Sequence, residues 1–328
     1  MNQVSFWSSN LPKIEQTLGA IAVFFAILGA IFYIAGKVNG RASRPIATFI
    51  FLGPAVLLLF VGLVVPAIKT ILFSFKDASS IKYVGIRNYQ WIIHNPEMHK
   101  VIWNTLLWIL ITPFATTALG LLLAIMLNRM KRESLPKSLL FMPMAISFVG
   151  ASIIWQFVYN YAPEGQPQTG LLSAIARTLG FTPPNWILNQ PLNTFLLMII
   201  FIWVETGFAM VILSAAIKGV PDDIMEASAL DGATGWRLFK GITFPMVRPT
   251  FIVVFATMVV TSLKLFDIVR TVTGGNFGTS VISNEMYSQI FVRFDTGRGS
   301  ALAVILFVLV TPILIYNIRN LRRERTIT

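Results

Sequence analysis

The residues most able to do chemistry in this chain are a few charges inside long apolar runs. Glu205 stands near the middle of the apolar window Thr194–Ala216. A charged side chain at the centre of a bilayer costs about 2.5–3.5 kcal/mol on insertion scales. Its carboxyl group must therefore face protein or water, either in the wall of a solute path or in a hydrogen bond between helices. The sequence leaves both interpretations open.

A second charged group lies near one end of the window Thr250–Val269. Lys264, Asp267 and Arg270 are spaced three apart, which on a continuous helix places them on one face where opposite charges can pair. They form either a self-neutralising structural feature or the polar wall of an outer vestibule. Aromatic residues near these charges are candidate stacking surfaces for a ligand ring, although most such residues serve packing: Trp203, Phe208, Phe255 and Phe266.

Groups needed for most enzyme chemistry do not occur. The chain has no cysteine, which excludes disulfides, thiolate zinc sites and cysteine nucleophiles. Its two histidines, His94 and His99, lie in a polar segment. No glycine-rich phosphate loop and no H-E-x-x-H zinc motif is present. We therefore expect no metal, no cofactor and no catalytic residue, and any ATP hydrolysis that the protein uses belongs to another chain.

Composition places the chain in the membrane class. Of 328 residues, 55% are hydrophobic and 12% charged, against about 25% charged in soluble domains, and the mean hydropathy is +0.71. The net charge of +12 is interpreted as a basic excess in cytoplasmic loops rather than as a nucleic-acid surface. Windows of about 20 apolar residues predict seven spans: Thr17–Gly36, Ala47–Ile68, Val101–Leu127, Leu139–Tyr159, Thr194–Ala216, Thr250–Val269 and Ser300–Ile318.

The basic residues fall mainly on alternate loops, which predicts the orientation. They cluster after the first, third, fifth and last windows, so those loops are expected in the cytoplasm, with the N-terminus outside and the C-terminus inside. The first window lacks a basic start and a small-residue cleavage site, so we interpret it as a retained extra span rather than a signal peptide.

One cytoplasmic segment, Lys218–Pro249, is amphipathic. Asp222 and Asp223 suit the first turn of a helix, Gly232 suits its end, and Thr234 can cap a second short helix that stops before Pro245. A small-residue face of this kind favours docking into a partner's groove. The alternative is a passive cytoplasmic hairpin or a helix resting on headgroups.

A resemblance decides between these interpretations. The segment is similar to the "EAA" loop of ABC importer permeases, with Ser228 and Phe244 as departures that keep a comparable size. In that family the loop docks into a cleft of the ATP-binding subunit. The residues that the resemblance assigns to this coupling are Glu226, Ala227, Ser228, Asp231, Gly232, Ala233, Phe239, Ile242 and Pro245.

Further motifs resemble the carbohydrate-uptake branch, similar to maltose-transporter permeases, with the α-glucoside type as the most similar group. They are Asn104-Thr105-Leu106, Pro143 through Trp155, Leu265-Phe266-Asp267, Thr273-Gly274-Gly275, Phe294-Asp295 and Gly299-Ser300-Ala301. The resemblance runs from about Arg44 to the C-terminus.

The resemblance implies an all-α integral membrane protein: a type I ABC importer transmembrane domain with one extra N-terminal span. Residues 1–45 would hold that span and a linker, and residues 46–328 the permease domain with its coupling loop, 218–249. In a bacterial inner membrane it would form half of a sugar pathway with a second permease, an ATP-binding subunit dimer and an extracytoplasmic binding protein. The residues named above as possible stacking or polar wall residues are the candidates for lining that pathway, with helix packing as the alternative: Glu205, Trp203, Phe208, Phe255 and Phe266. The alternative is a stand-alone secondary transporter or channel, and the sequence leaves open which sugar is carried and by which subunit.

Overall fold

The computed structural model describes residues 13, 15–27, 29, 30, 33, 43–163 and 165–324. This part of the chain is helical and contains no β-strand. The first helices are α1 (Glu15–Ile27), α2 (Ser43–Leu59), α3 (Val65–Phe73), α4 (Arg87–His94), α5 (Pro96–Asn128), α6 (Ser134–Phe141), α7 (Phe148–Val158) and α8 (Leu171–Thr178). They are followed by α9 (Leu192–Lys218), α10 (Asp222–Leu230), α11 (Gly235–Leu238), α12 (Phe244–Leu263), α13 (Asp267–Val272), α14 (Ile282–Tyr287) and α15 (Thr296–Glu324).

Five helical stretches are long and apolar enough to cross a membrane in the described residues. They are Phe51–Phe73, Pro96–Asn128, Leu192–Lys218, Gly235–Leu263 and Thr296–Tyr316. The positions of the five corresponding predicted windows are confirmed, and most bounds differ by only a few residues. The exception is the sixth window, where the span begins well before Thr250. The expected total of seven spans is not reached among the described residues.

The chain divides into two units after Lys69. In the first unit, α1 is an apolar helix of 13 residues, shorter than a span, and its side chains are exposed. The remainder of the predicted first window lies partly outside the described residues. A π-helical turn, Phe60–Val64, joins α2 to α3 within one continuous apolar helix.

The fourth window, Leu139–Tyr159, is not the single helix that we expected. The stretch Ser134–Ala145 meets α7 at an angle of 102°. Pro143 lies in a 3₁₀ turn at the end of α6, Ile146 is extended, and the Ser147 side chain accepts a hydrogen bond from the backbone of Gly150. The chain therefore ends one helix and caps a new one, because proline cannot continue the backbone ladder.

The sixth window, Thr250–Val269, is also interrupted. Helix α12 ends at Leu263, and α13 begins only at Asp267. Lys264 is the C-cap of the first helix, and Phe266 precedes the second with a non-helical backbone. The expectation that Lys264, Asp267 and Arg270 share one helical face is therefore wrong.

The core of the second unit is the packing of α5 against α9. Gly120 on α5 allows the closest approach, since a Cβ built there would lie 2.6 Å from Ala209 Cβ on α9. Small residues at a helix contact let two backbones come together and raise van der Waals packing in a membrane. Fully buried Trp108, Leu197 and Phe201 form a separate apolar cluster further along the same two helices, which also includes Ala151 of α7 and Met258 of α12.

Polar side chains tie the second unit together across long distances in sequence. Thr112 Oγ1 donates to Ser262 Oγ at 3.0 Å, joining α5 to α12. Asn104 Nδ2 donates to the backbone oxygens of Gly278 and Ser280 at 2.6 and 3.0 Å. These bonds satisfy buried polar groups in a setting where unsatisfied ones are costly, and they hold the loop after α13 against α5.

Candidate functional site

Helix α10 forms the first part of the amphipathic segment. Asp222 and Asp223 lie in its first turn, where negative charge favours the helix dipole. Its base is anchored, because buried Val220 and half-buried Met225 pack on the apolar cluster that α5 and α9 form at this end. The segment is thus fixed to the two best-packed spans of the unit.

The end of α10 is closed by backbone hydrogen bonds. Gly232 has a φ of +76°, and the N–H of Ala233 donates to Ser228 O at 2.9 Å. This left-handed glycine after the last helical residue is the C-terminal arrangement that helices commonly use. The predicted break at Gly232 is therefore confirmed.

The second half of the segment differs from the expectation. Thr234 precedes α11, but its side chain makes no capping hydrogen bond. The helix does not stop before Pro245; it passes through a π-helical turn, Phe239–Thr243, directly into α12. Pro245 lies in the first turn of α12, and the wider turn before it avoids the clash that proline makes with a preceding α-helical turn. The second half of the segment is therefore continuous with a membrane span, whereas α10 is separated from it by the turn at Gly232.

The predicted coupling residues differ in exposure. Ser228 is buried, and its hydroxyl donates to Ile224 O. Phe239 packs between Trp236 and Phe244, with ring centroids 5.2 and 5.8 Å away. The other seven are exposed or half-buried: Glu226, Ala227, Asp231, Gly232, Ala233, Ile242 and Pro245.

Leu230, at the last turn of α10, was not among the predicted coupling residues, yet it is 90% exposed. The sequence could have indicated this residue as a partner contact, because a leucine at the end of an amphipathic helix, beside small residues, suits a partner's groove.

A polar cluster fastens the base of the segment to the turn between α5 and α6. Lys137 is buried apart from 15% of its side chain, and its ammonium donates to Asn128 Oδ1 at 2.6 Å, to Glu133 Oε2 at 2.8 Å and to Ser214 Oγ. Lys218, the last residue of α9, pairs with the other Glu133 oxygen. Hydrogen bonds from Lys137 and Lys218 lower the pKa of Glu133. The cluster joins three helix ends, and no motif in the sequence indicated it.

Inside the spans, the structure does not collect the predicted pathway residues into one site. Glu205 is half-buried on α9, and its carboxylate has no hydrogen-bond partner among the described residues. Trp203, two residues earlier, meets Trp155 of α7 edge-on at 5.7 Å. Phe208 packs on the core around Phe201. Phe255 is half-buried on α12.

The break after α12 holds the fifth pathway candidate and the predicted vestibule. Phe266 packs on Tyr287 with ring centroids 4.9 Å apart, and the Arg270 guanidinium lies 4.8 Å from the same tyrosine ring. Lys264, Asp267 and Arg270 form no ion pair with one another in the described part of the chain. Arg270 is held by a cation–π contact instead of the expected charge ladder.

A polar pocket of about 270 Å³ lies near this region. Its walls come from α4, α5, the loop after α13 and the α14 region, and they include Trp91, Lys100, Asn104 and Glu285. Glu285 pairs with Arg293 at 2.8 Å. Residues nearly 200 positions apart form the pocket, which explains why sequence patterns did not reveal it. Among the described residues, no three His, Cys, Asp or Glu side chains lie close enough together to hold a metal ion.

Fold and site together define a polytopic helical membrane subunit with an amphipathic segment carried on the end of one span. The chain belongs to the family of binding-protein-dependent transport system inner membrane components, whose match covers residues 116–326.

Individual relatives extend this match over most of the chain. The osmoprotective compounds uptake permease protein GgtC of Synechocystis sp. is 46% identical over 274 residues, 84% of this chain and 98% of the relative. The alpha-glucoside transport system permease protein AglF of Rhizobium meliloti is 42% identical over 326 residues, 97% and 93% of the two chains. A chain of a bacterial alginate ABC transporter, solved with a periplasmic protein bound to an alginate pentasaccharide, has the same fold, with a TM-score of 0.75 at 20% identity, over 86% of this chain and 96% of its own.

Family membership confirms the resemblance drawn from the motifs. The protein is a non-catalytic, multi-pass inner-membrane permease subunit of an ABC importer, and ATP is hydrolysed by a separate subunit. It works with a second permease, the ATP-binding subunits and a binding protein that delivers the solute. The alternative of a stand-alone secondary transporter or channel is excluded.

Proposed function

We propose that the importer carries a carbohydrate of the α-glucoside type. The supporting observation is the 42% identity with a permease named for alpha-glucoside transport, which extends along 97% of this chain. A relative named for trehalose and maltose transport, from Thermococcus litoralis, is 29% identical over 80% of the chain. The 46% identity with a permease named for osmoprotective compounds makes such solutes the second candidate class.

Coupling to the ATPase is proposed to run through the amphipathic segment 218–249, which is called the coupling segment from here on. The exposed residues Glu226, Ala227 and Asp231, with the apolar tip Leu230, would enter the cleft of the ATP-binding subunit. The turn at Gly232 joins α10 to α11, and α11 continues without interruption into α12. A movement of the docked α10 would therefore reach a membrane span through this one turn.

Transport is proposed to follow alternating access between inward-open and outward-open states. Moving such an equilibrium from 1:99 to 99:1 takes about 5.5 kcal/mol of differential binding. ATP on the catalytic subunits and the loaded binding protein would provide it together. The anchoring of α10 on α5 and α9 allows the spans to move as a body with the docked segment.

The solute path is proposed to pass Glu205, with Trp203, Phe208, Phe255 and Phe266 as candidate wall residues. A carboxylate without a partner inside a span favours contact with water, a polar solute or the second permease. The outer vestibule is proposed to contain the three charged residues at the helix break, Lys264, Asp267 and Arg270. The polar pocket beside it is proposed to receive the binding protein.

The membrane orientation that we propose has the N-terminus outside and the C-terminus in the cytoplasm, with residues 1–45 as the extra span and linker and residues 46–328 as the permease domain. The basic residues of alternate loops support this topology. It places the polar cluster around Glu133 and the coupling segment on the same, cytoplasmic side.

The substrate class is tested with the cognate binding protein and the reconstituted importer. Thermal unfolding of the binding protein is measured across a panel of α-glucosides, β-glucosides, polyols and amino acids. ATP-dependent uptake of the stabilising solutes into proteoliposomes follows. We expect stabilisation and uptake to coincide for α-glucosides. Stabilisation by amino acids alone would contradict the proposal.

A further inference from the structure

A groove of about 560 Å³ opens between α5 and the helix that leads from the coupling segment into the membrane. Its lining is apolar except for one side chain, Arg129. One wall is a row of aromatic rings in successive contact, Trp236–Phe239, Phe239–Phe244 and Phe244–Phe251, with centroids 5.2, 5.8 and 5.7 Å apart. The opposite wall is the α5 face that carries Leu122 and Ile125.

The groove begins where two membrane spans end. Arg129 directly follows the span Pro96–Asn128, and Trp236 lies in the first turn of the span Gly235–Leu263. Trp236 is 71% exposed, and tryptophan is typical of the membrane–water interface. The groove therefore runs from the membrane–water interface into the hydrocarbon region, where water is an unfavourable occupant because the walls are apolar.

The mouth of the groove is cationic. Arg129 is the cation that lines the groove, and it is exposed. Arg237 and Lys240 do not line the groove, but they are exposed and directly follow the lining residues Trp236 and Phe239 in the chain. None of the three forms an ion pair in the described part of the chain. The nearby carboxylate of Glu133 is already engaged by Lys137 and Lys218. No acidic residue lines the groove. An occupant that satisfies both ends needs an apolar chain and an anionic head.

We propose that the groove binds one anionic phospholipid of the cytoplasmic leaflet. Its acyl chain would lie along the aromatic row, and its phosphate would face Arg129, the cation that lines the groove. Basic pockets between spans on the cytoplasmic side are known to favour anionic headgroups. Because Trp236 and Phe239 belong to the coupling segment, the bound lipid would hold that segment in the position from which it docks.

The test uses the full importer, purified with its partner subunits into nanodiscs of phosphatidylcholine with or without phosphatidylglycerol. Retained lipids are counted by native mass spectrometry. We expect wild type to retain phosphatidylglycerol in preference to phosphatidylcholine. Arg129→Gln should lower this preference about fivefold, as expected for one cation near an anionic headgroup, whereas Lys131→Gln, an exposed control cation outside the groove, should keep it.

A second variant tests the apolar part. Leu122→Trp fills the groove from α5, so it should lower retention of both lipids while Arg129→Gln affects only the anionic one. Equal phosphatidylglycerol preference in Arg129→Gln and Lys131→Gln would overturn the proposal. A density map of the assembly in which a helix or side chain of another subunit occupies the groove would overturn it as well.

Discussion

The ammonium of Lys137 lies 2.8 Å from the carboxylate of Glu133, one helical turn earlier in the chain. The same ammonium donates to Asn128 at the end of α5 and to Ser214 near the end of α9. A single side chain thus connects the α5–α6 turn to the helix that leads into the coupling segment.

Replacing Lys137 by methionine should weaken coupling more than assembly. The variant leaves the oxygens of Asn128, Glu133 and Ser214 without their shared donor, at a cost of about 1–3 kcal/mol. We expect ATPase stimulation by the loaded binding protein to fall several-fold, while the subunits still co-purify. Lys131→Met, on the exposed part of the same turn, is the control and should behave as wild type. Unchanged stimulation in Lys137→Met would show that the cluster does not position the segment.

The lowered pKa of Glu133 predicts a pH-dependent contribution to stability. A carboxyl group whose folded-state pKa lies below its ordinary value of 4.5 stabilises the fold above that value, and the contribution is lost as pH falls through the folded-state pKa. The melting temperature of wild type should therefore exceed that of Glu133→Gln at neutral pH. The melting temperatures of the two purified assemblies are compared as the pH is lowered. The difference between them should disappear only below about pH 4.5. A gap that does not depend on pH would mean that the charge of Glu133 is not responsible.

Several features of the fold were predictable because they depend on local composition. A span needs only an apolar stretch of sufficient length, so hydropathy found each of the five spans seen among the described residues. The turn at Gly232 was predictable because the left-handed conformation strongly favours glycine after a helix. The amphipathic segment 218–249 was predictable because its charges and small residues stand out in an apolar chain, whereas its docking role came only from the family resemblance and stays a prediction.

Other features could not be predicted because they depend on contacts distant in sequence. The break at Lys264–Phe266 is stabilised by Phe266 and Arg270 meeting Tyr287, which no local pattern at Lys264 indicates. Lys218 meets Glu133 across 85 positions. The π-helical turn before Pro245 was missed because a proline there was interpreted only as a helix end.

The α5–α9 contact should tolerate no side chain at Gly120. A Cβ at this position would lie 2.6 Å from Ala209 Cβ and 2.9 Å from the backbone nitrogen of Met210, so Gly120→Val forces the two helices apart. Overpacking of this kind costs about 1–3 kcal/mol or more. We expect a lower melting temperature and less assembled importer in detergent. Gly62→Val, where nothing lies within 4 Å of the added Cβ, provides the comparison, and equal losses in both variants would contradict the assigned contact.

Two substitutions of Glu205 can show whether its side chain contacts the transported solute or packs between helices. Gln keeps the hydrogen-bonding capacity but removes the charge, and Leu removes both. If the side chain faces the solute, we expect both variants to assemble and both to raise the KM for uptake, Leu about tenfold or more, which corresponds to about 1.4 kcal/mol. If it serves helix contact, Leu should instead reduce co-purification of the second permease, with no change in KM for the complex that forms.

Gly232 tests whether the shape of the segment, rather than its surface alone, is needed for coupling. Its φ of +76° is strongly unfavourable for a β-branched residue, while nothing lies within 4 Å of an added Cβ. The effect of Gly232→Val is therefore a backbone effect, and it should displace Ala233 and α11 relative to α10. We expect membrane insertion to be retained, with transport and stimulated ATPase activity both reduced. Gly232→Asn is the matched variant, because asparagine tolerates the left-handed conformation, and it should restore most of the activity. If Val and Asn give the same activity, the turn geometry is not what the ATP-binding subunit requires.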